Sequence, residues 1–164
     1  MTICIRRIHT SEYEDASRLV VSVFRECVAA SMEPEGVDVF EKHAEGESMR
    51  VRDTTGCTTY VAFNDESLVG VLHVKGGSHV SLLFVLPELQ GQGIGRALIQ
   101  LADRTSTLLT VHSSINATKS YESYGFRISA PEQISNGIRY VPMQRLGAQP
   151  IIPLGLAHKA AQGL

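Results

Sequence analysis

The chain has 164 residues, of which 43% are hydrophobic and 20% are charged, and its formal net charge is −2 at pH 7. This length and composition predict a single globular domain with a hydrophobic core. The near-neutral charge, without a basic cluster, argues against a nucleic-acid binder. The three cysteines form no Cys-x-x-Cys pair, which argues against a disulfide framework or a zinc site and favours a reducing compartment. We find no signal peptide and no apolar run long enough to span a bilayer, so we expect a cytoplasmic protein that does not bind membranes.

The first third of the chain predicts one strand and two helices. Ile3 and Ile5 alternate with polar or small neighbours, as in a strand. Ser11 and Glu14 have the spacing of a helix capping box. The apolar residues behind this box repeat at helical spacing and predict the first helix: Ala16, Leu19, Val20, Val23, Phe24, Cys27 and Val28. A second, shorter helix is predicted from Val37 to Ala44.

The middle of the chain predicts three strands and a helix. Residues 57–63 (CTTYVAF) and 67–74 (SLVGVLHV) predict a hairpin. Residues 79–86 (HVSLLFVL) predict a longer strand that ends at Pro87. After a glycine-rich segment, residues at helical spacing predict a helix with one apolar face: Ile94, Ala97, Leu98, Leu101 and Ala102.

The last predicted elements are a strand, a short helix and two closing strands, at residues 108–112, 116–124, 126–128 and 138–145. Gly125 is placed to end the helix as a C-cap, and a turn at Asn136 and Gly137 is expected between the two closing strands. The element order βααβββαβαββ predicts an α+β domain over residues 1–146. Residues 147–164 contain two prolines and little pattern, so we expect an extended or mobile tail.

The segment QGQGIGR at residues 90–96 has glycine at every second position, directly after an apolar strand and before a helix. A helix N-terminus exposes unpaired N–H groups and the positive end of the helix dipole, which together bind phosphate groups. Glycines there remove the side chains that would keep a pyrophosphate away. The sequence fits neither a Walker A loop, because it has no Gly-Lys pair, nor the G-x-G-x-x-G dinucleotide fingerprint. The alternative is a glycine-rich turn that only tightens the junction between strand and helix.

Residues 90–95 resemble the Q/R-x-x-G-x-G/A signature of the GNAT superfamily of acetyl-CoA-dependent N-acetyltransferases. The preceding segment LLFVLPE resembles the fourth strand of that family, and SYESYGF at residues 120–126 resembles its FYExLGF segment. The predicted element order is also similar, from about Ile3 to Arg145. The resemblance implies a GNAT-type fold: a mixed, mostly antiparallel sheet with splayed fourth and fifth strands and helices on both faces.

The resemblance also implies a site for acetyl-CoA as cosubstrate. The backbone amides expected to hold the coenzyme A pyrophosphate are those of Gly91, Gln92, Gly93, Ile94, Gly95 and Arg96. The pantetheine arm is expected between the fourth and fifth strands, along the backbone of Leu83, Phe84 and Val85, and the Val85 N–H is expected to hold the developing oxyanion. An asparagine often stands seven positions before the motif tyrosine in this family. Here Ser114 stands there, with Asn116 nearby as the expected contact to the pantetheine arm.

Tyr121 occupies the position of the family's general-acid tyrosine, which protonates the departing thiolate. Tyr124 is a competitor, but it stands where the family usually has leucine, so we expect it in the core. His79 is the candidate general base, because imidazole titrates near neutrality and one branch of the family has a glutamate at about this place. His112 is the alternative base, and a proton route through ordered water stays open.

The implied function is transfer of an acetyl group from acetyl-CoA to a primary amine by direct attack in a ternary complex. The alternative is an acyl-CoA-binding sensor or regulatory module on the same fold. The acceptor is an amine on a small molecule or on a protein, and a homodimer stays open. Against a single Lys42, six acidic residues fill the stretch that walls the acceptor side in this family: Glu33, Glu35, Asp38, Glu41, Glu45 and Glu47. They either attract a cationic amine such as a polyamine, an aminoglycoside or a lysine side chain, or form a solvated helix face.

Overall fold

A computed structural model of the protein describes residues 1–146, and the tail predicted at residues 147–164 lies outside the described residues. The described part contains eight strands and five α-helices. The strands are β1 (Ile3–Arg7), β2 (Cys57–Asn64), β3 (Ser67–Lys75), β4 (His79–Val85), β5 (Thr110–Ser113), β6 (Arg127–Ile128), β7 (Gln133–Ser135) and β8 (Ile138–Gln144). The helices are α1 (Tyr13–Cys27), α2 (Pro34–His43), α3 (Gly46–Asp53), α4 (Ile94–Asp103) and α5 (Thr118–Ser123).

The strands form a mostly antiparallel sheet in the order β1-β2-β3-β4-β5-β8-β6, with β7 paired to β8. β4 and β5 are parallel, and they pair only where His79 faces Thr110 and Val80 faces Val111. Beyond these residues the two strands separate. From Ser81 onward, β4 therefore has no strand partner on this side within residues 1–146. The sheet opens here into a gap.

Helices cover both faces of the sheet. α4 and α5 pack on one face, over a core that includes Leu98 and Phe126, and α1 and α3 pack on the other, over a core that includes Val20 and Met49. β2 and β3 lie between these layers, which explains why their central residues form continuous, mostly apolar buried runs instead of alternating. This architecture confirms the predicted α+β fold with splayed fourth and fifth strands and helices on both faces.

The capping box predicted from Ser11 and Glu14 is wrong, because Glu12 fills that role. The Glu12 carboxylate accepts a hydrogen bond from the His9 N–H at 2.8 Å and two from the Arg6 guanidinium at 2.7 and 2.9 Å. These bonds hold a short 3₁₀ turn in front of α1. The predicted helix itself is present.

Two elements of the structure, α3 and β7, have no counterpart in the prediction. α3 carries mostly charged and polar residues, and β7 consists of three exposed residues. The predicted turn at Asn136 and Gly137 is present, with φ of 52° and 78°. It joins β8 to β7, however, and not to the strand predicted at residues 126–128, which pairs as β6 at the other end of β8.

Candidate active site

The gap between β4 and β5 leads into a cavity of about 530 Å³. Its walls come from β4, β5, β8 and α5 on one side and from α1 and α2 on the other. Small-ligand sites commonly have volumes of roughly 300–1,000 Å³. Gln90 and Gly95 of the glycine-rich segment line this cavity together with His79 and Tyr121. The structure thus brings the predicted binding segment and both predicted catalytic residues to one cavity.

Residues 91–96 form a turn that leads into the first turn of α4, and their backbone N–H groups are free within the described residues. Gly91 and Gly93 have φ of 76° and 88°, which side chains disfavour, and a Cβ built on either would meet nothing within 4 Å. Gly93 is the N-cap of α4. Within residues 1–146, no acceptor is present for the N–H of any residue from Gly91 to Arg96. Consecutive free donors at a helix N-terminus suit an anion such as a pyrophosphate.

Gly95 is glycine for a different reason. It lies in the first turn of α4, and a Cβ built there would lie 2.5 Å from the Tyr124 hydroxyl oxygen. The Arg96 guanidinium lies 5.5 Å from the centroid of the same tyrosine ring. Tyr124 packs against the core but is only partly buried and lines the cavity, so it differs from the core residue that the sequence predicts.

The alternation of the β4 backbone decides which residues face the gap. The Leu86 N–H donates to the Val69 carbonyl beside β3 at 3.0 Å, so the backbone of Val85 and of Leu83 turns to the opposite side, toward the gap. Phe84 turns its backbone to β3 and contributes its side chain to the cavity wall. Of the three predicted edge residues, two therefore turn backbone groups toward the gap, although the Val85 carbonyl already accepts a hydrogen bond from Gln90 Nε2 at 3.0 Å.

Tyr121 of α5 faces the cavity and is 7% exposed. Its ring contacts those of Tyr124 and Phe126 edge to face, with centroids 5.9 and 5.8 Å apart, which fixes its position. Burial raises the pKa of Tyr121 well above its ordinary value of 10, so the phenol stays protonated at physiological pH. Its hydroxyl has no hydrogen-bond partner within residues 1–146. Ser114 and Asn116 line the same cavity.

His79 begins β4 at the closed end of the gap, where its Nδ1 lies 2.8 Å from Thr110 Oγ1. Its ring centroid is 4.8 Å from that of His112, which stacks on Tyr140 at 4.2 Å. Burial lowers the pKa of His79 to about 4, with smaller contributions from His112 and Lys75, and burial also lowers the pKa of His112. His79 is therefore neutral at pH 7, but it is a weaker base than the free imidazole assumed in the prediction.

Sequence reasoning missed a second polar pair on the cavity wall. The register between β3 and β4 shifts between His73 and Val74, which leaves Ser81 as the extra residue of a bulge in β4. Ser81 Oγ lies 3.2 Å from Nε2 of His43, the last residue of α2, and both side chains line the cavity. Burial lowers the pKa of His43 to about 4, so this imidazole is neutral at pH 7.

A buried polar cluster beside α3 is also absent from the prediction. Nδ1 of the fully buried His73 lies 2.8 Å from Thr59 Oγ1 and 3.4 Å from Asp53 Oδ1. Arg52 Nε donates to His73 Nε2 at 3.3 Å, so the ring proton lies on Nδ1, and burial lowers the pKa of His73. The Tyr13 hydroxyl donates to the second Asp53 oxygen at 2.6 Å. The sequence signal for this cluster was His73, a polar residue within the buried run of β3.

The six acidic residues at positions 33–47 lie away from the cavity wall. Glu41 pairs with Arg25 and Glu47 with Arg50, each at 2.6 Å near the surface. In the part of the chain that the structure describes, no group of three His, Cys, Asp or Glu side chains is arranged to bind a metal ion. None of the helices of residues 1–146 combines the length and apolar character needed to cross a membrane.

The sequence model of a family described as "Acetyltransferase (GNAT) domain" matches residues 28–146, which is most of the chain. The chain belongs to the GNAT acetyltransferase family. Membership in this family supports the assignment of the protein as an acyltransferase. No protein with a curated description matches the chain in sequence.

Several solved structures share the fold at low sequence identity. A GCN5-related N-acetyltransferase from Rhodopseudomonas palustris is 22% identical with a TM-score of 0.69, over 88% of this chain and 96% of that one. The PaiA N-acetyltransferase from Thermoplasma acidophilum, solved with coenzyme A, is 17% identical with a TM-score of 0.69, over 88% and 99%. The apo form of YjaB from Escherichia coli is 21% identical with a TM-score of 0.68, over 90% and 100%. These likenesses show the fold and leave the acceptor undefined.

Proposed function

We propose that the protein is an N-acetyltransferase that moves an acetyl group from acetyl-CoA to a primary amine by direct attack in a ternary complex. This proposal rests on one observation: three features surround a single cavity. They are the free amides of residues 91–96, the open edge of β4 and the buried phenol of Tyr121. A non-catalytic acyl-CoA sensor needs only the first two, so the phenol favours an enzyme.

The residues present fit acetyl-CoA, which when bound supplies an acetyl thioester open to attack by an amine. The free N–H groups of residues 91–96 suit its pyrophosphate, and the exposed Arg96 adds positive charge beside them. The backbone of Leu83 and Val85 can pair with the amides of the pantetheine arm as an added strand would. We propose that a backbone N–H of this edge stabilises the negative charge that develops on the thioester oxygen. The first candidate is the N–H of Val85.

Transfer forms a C–N bond and breaks the C–S bond, and it takes one proton from the amine and returns one to the thiolate. We propose that Tyr121 gives the proton to the thiolate. Coenzyme A is a fair leaving group, with a thiol pKa near that of cysteine, about 8.5, whereas burial raises the pKa of Tyr121 well above 10. Because the buried phenol is a weaker acid than the thiol, this proton transfer is uphill, and we expect only a modest contribution to the rate.

Two histidines are candidates to receive the proton of the amine. With a rise of about 3.3 Å per residue, His79 lies roughly 13 Å along β4 from Leu83, whereas Ser81 lies roughly 7 Å from it. The hydrogen-bonded pair of Ser81 and His43 is thus nearer to the open edge than His79 is. We keep His79 as the first candidate base and add His43, acting through Ser81, as the second. Their glutamine variants distinguish them, because only the variant that removes the base lowers kcat with both substrates saturating.

Acetyl-CoA binding is tested by thermal unfolding with and without the ligand. At 100 times its dissociation constant, a ligand that binds only the native state adds about 2.7 kcal/mol to the free energy of unfolding. The absence of any shift at millimolar acetyl-CoA would refute the proposed donor site. Release of free thiol in the presence of primary amines then separates the two functions, since a sensor would bind acetyl-CoA and release none.

Tyr121→Phe tests the catalytic role, and Tyr124→Phe is its matched control. Both tyrosines line the cavity, and neither hydroxyl has a hydrogen-bond partner within residues 1–146. General acid catalysis is typically worth about 10²–10⁴-fold, and we expect a loss of kcat of about 10²-fold for Tyr121→Phe with an unchanged acetyl-CoA melting shift. Equal rates for Tyr121→Phe and the parent enzyme would remove Tyr121 from the mechanism. A larger loss in Tyr124→Phe would assign the role to Tyr124.

A further inference from the structure

The part of the cavity between α1, α2 and β4 is apolar and rich in aromatic rings. We call it the apolar chamber, and its wall includes Val23, Phe24, Val28, Val39, Phe40 and Phe84. The rings of Phe24 and Phe40 stack with centroids 3.8 Å apart, and the ring of Phe84 meets Phe40 edge to face at 5.7 Å. Phe40 and Phe84 are only partly buried, so their rings are available to a ligand.

The chamber offers no negative charge to a cation. Among residues 1–146, no aspartate or glutamate lines the cavity, and its one lysine or arginine is Arg139, which is paired with Glu132. Each ammonium group of a polyamine or an aminoglycoside placed here would lose its water without gaining a carboxylate. Removing an unpaired charge from water is costly. The chamber is therefore unsuited to a polycation.

A hydrogen-bonded polar pair borders the chamber. Nε2 of His43 and Oγ of Ser81, 3.2 Å apart, line the cavity on the side where the β4 edge opens. One amino group can hydrogen bond there while the rest of the acceptor contacts the rings. The burial that lowers the pKa of His43 and of His79 also lowers the pKa of an ammonium in the same cavity, which favours the neutral amine that attacks.

We propose that the acceptor is a small monoamine whose amino group is attached to an apolar body of about the size of one aromatic ring. The ring lies against Phe40 and Phe84 in the apolar chamber, and the amino group faces His43 and Ser81. This inference names the acceptor class for the acetyl transfer proposed above and rests on that proposal.

The test compares three amines at saturating acetyl-CoA by the release of free thiol. 2-Phenylethylamine carries the ring, ethylamine has the same amino group and two-carbon stem without it, and spermidine is the polycation. Burial of a side chain as large as that of phenylalanine favours binding enough to change an equilibrium by about 10- to 100-fold. We expect kcat/KM for 2-phenylethylamine to exceed that for ethylamine by this factor and to exceed that for spermidine by more.

Phe40→Leu ties the preference to the chamber. It keeps an apolar side chain on α2 and removes the ring, so the ratio of kcat/KM between 2-phenylethylamine and ethylamine should fall by about 2- to 10-fold. Phe63→Leu is the matched control, because Phe63 is also a partly buried phenylalanine but does not line the cavity. It should leave the ratio unchanged. The melting shift caused by acetyl-CoA should be the same in both variants and in the parent protein.

The outcomes separate this inference from the proposed function. Equal use of 2-phenylethylamine and ethylamine, preference for spermidine, or turnover of none of the three would overturn the acceptor class if acetyl-CoA still raises the melting temperature. A ratio that falls as much in Phe63→Leu as in Phe40→Leu would overturn the role of the chamber. If acetyl-CoA causes no melting shift, the proposed function itself fails.

Discussion

Gly95→Ala tests directly why residue 95 of the glycine-rich segment is a glycine. The added Cβ would lie 2.5 Å from the Tyr124 hydroxyl oxygen but 3.4 Å from the ring carbon that carries it. Removing the oxygen with Tyr124→Phe therefore leaves an ordinary van der Waals contact. The hydroxyl has no hydrogen-bond partner within residues 1–146, so Tyr124→Phe alone should change stability little.

The magnitudes follow from two opposing effects. Alanine is favoured over glycine inside a helix by up to about 1 kcal/mol. Overpacking typically costs about 1–3 kcal/mol, and here the cost depends on how far the Tyr124 ring can move. We expect Gly95→Ala to lower the free energy of unfolding by about 0–2 kcal/mol in the parent protein and to raise it by about 0.5–1 kcal/mol in the Tyr124→Phe background. The coupling between the two sites is then about 1–3 kcal/mol.

Denaturant unfolding of the four proteins in this double-mutant cycle measures the coupling. In a domain of this size, 1 kcal/mol corresponds to about 2–4 °C in melting temperature, which calorimetry also resolves. A coupling below about 0.5 kcal/mol would refute the steric explanation, because independent sites add to within that limit. If Gly95 is glycine only to admit a pyrophosphate, Gly95→Ala should instead weaken acetyl-CoA binding equally in both backgrounds and leave stability intact.

Three further predictions concern stability. Gly93→Ala should lower the free energy of unfolding by about 1–2 kcal/mol, since φ at Gly93 is 88° and no atom crowds the site. Asparagine adopts this left-handed backbone more readily than alanine, so a Gly93→Asn variant that is no more stable than Gly93→Ala would contradict the backbone explanation. Glu12→Gln should cost about 1–2 kcal/mol at pH 7. Hydrogen bonding from Arg6 lowers the pKa of Glu12 to about 2, so its stabilisation is full above pH 4.5 and is lost as the pH falls toward 2; melting curves across this range should show a shallower slope in the variant. Burial lowers the pKa of His73, so the unfolded chain takes up its proton first and stability should decrease as the pH falls below about 6.5; His73→Gln should reduce that slope, and an unchanged slope would assign the acid sensitivity to other groups.

The glycine-rich segment could be predicted because its signals are local. An apolar strand, three glycines and an amphipathic helix follow one another within about 25 residues, and the position of the free amides follows from that order. The reasons for the individual glycines could not be predicted. Gly91 and Gly93 serve a left-handed backbone, whereas Gly95 avoids a tyrosine almost 30 residues later in the chain.

The unpredicted elements lack local signals and depend on tertiary contacts. α3 buries Met49 and Gly46, and a Cβ on Gly46 would lie 2.9 Å from the Tyr13 carbonyl, so this helix is held by its close approach to α1. The turn that joins β7 to β8 is held by the residue that caps α2, since the Glu33 N–H donates to the Gly137 carbonyl at 3.2 Å. Neither contact is visible in the sequence of the element it stabilises.

The polar groups behind the cavity could not be grouped from the sequence for the same reason. Asp53, Thr59 and His73 come from three different elements, and Ser81 reaches His43 only because a bulge changes the register of β4. A bulge reflects pairing with a neighbouring strand, so the sequence of β4 alone does not reveal it. A histidine in the buried run of β3 indicated only that some partner must exist.

The chemistry of the cavity wall depends on one face of α2 and not on the composition of the helix. Gly36, Val39, Phe40 and His43 are spaced by three and four residues and form the face toward the sheet and the cavity, whereas Glu35, Asp38 and Glu41 lie away from the cavity wall. Of the two sequence-based alternatives for these acids, the described residues therefore give no negative cavity wall, whereas exposed positions such as Glu35 and Asp38 match the solvated helix face. The same helix supplies an aromatic ring to the chamber and an imidazole to its polar border. We therefore expect an acceptor matched to this face to carry an apolar ring beside one amino group, and we expect the charge on the outer face to have no part in binding it.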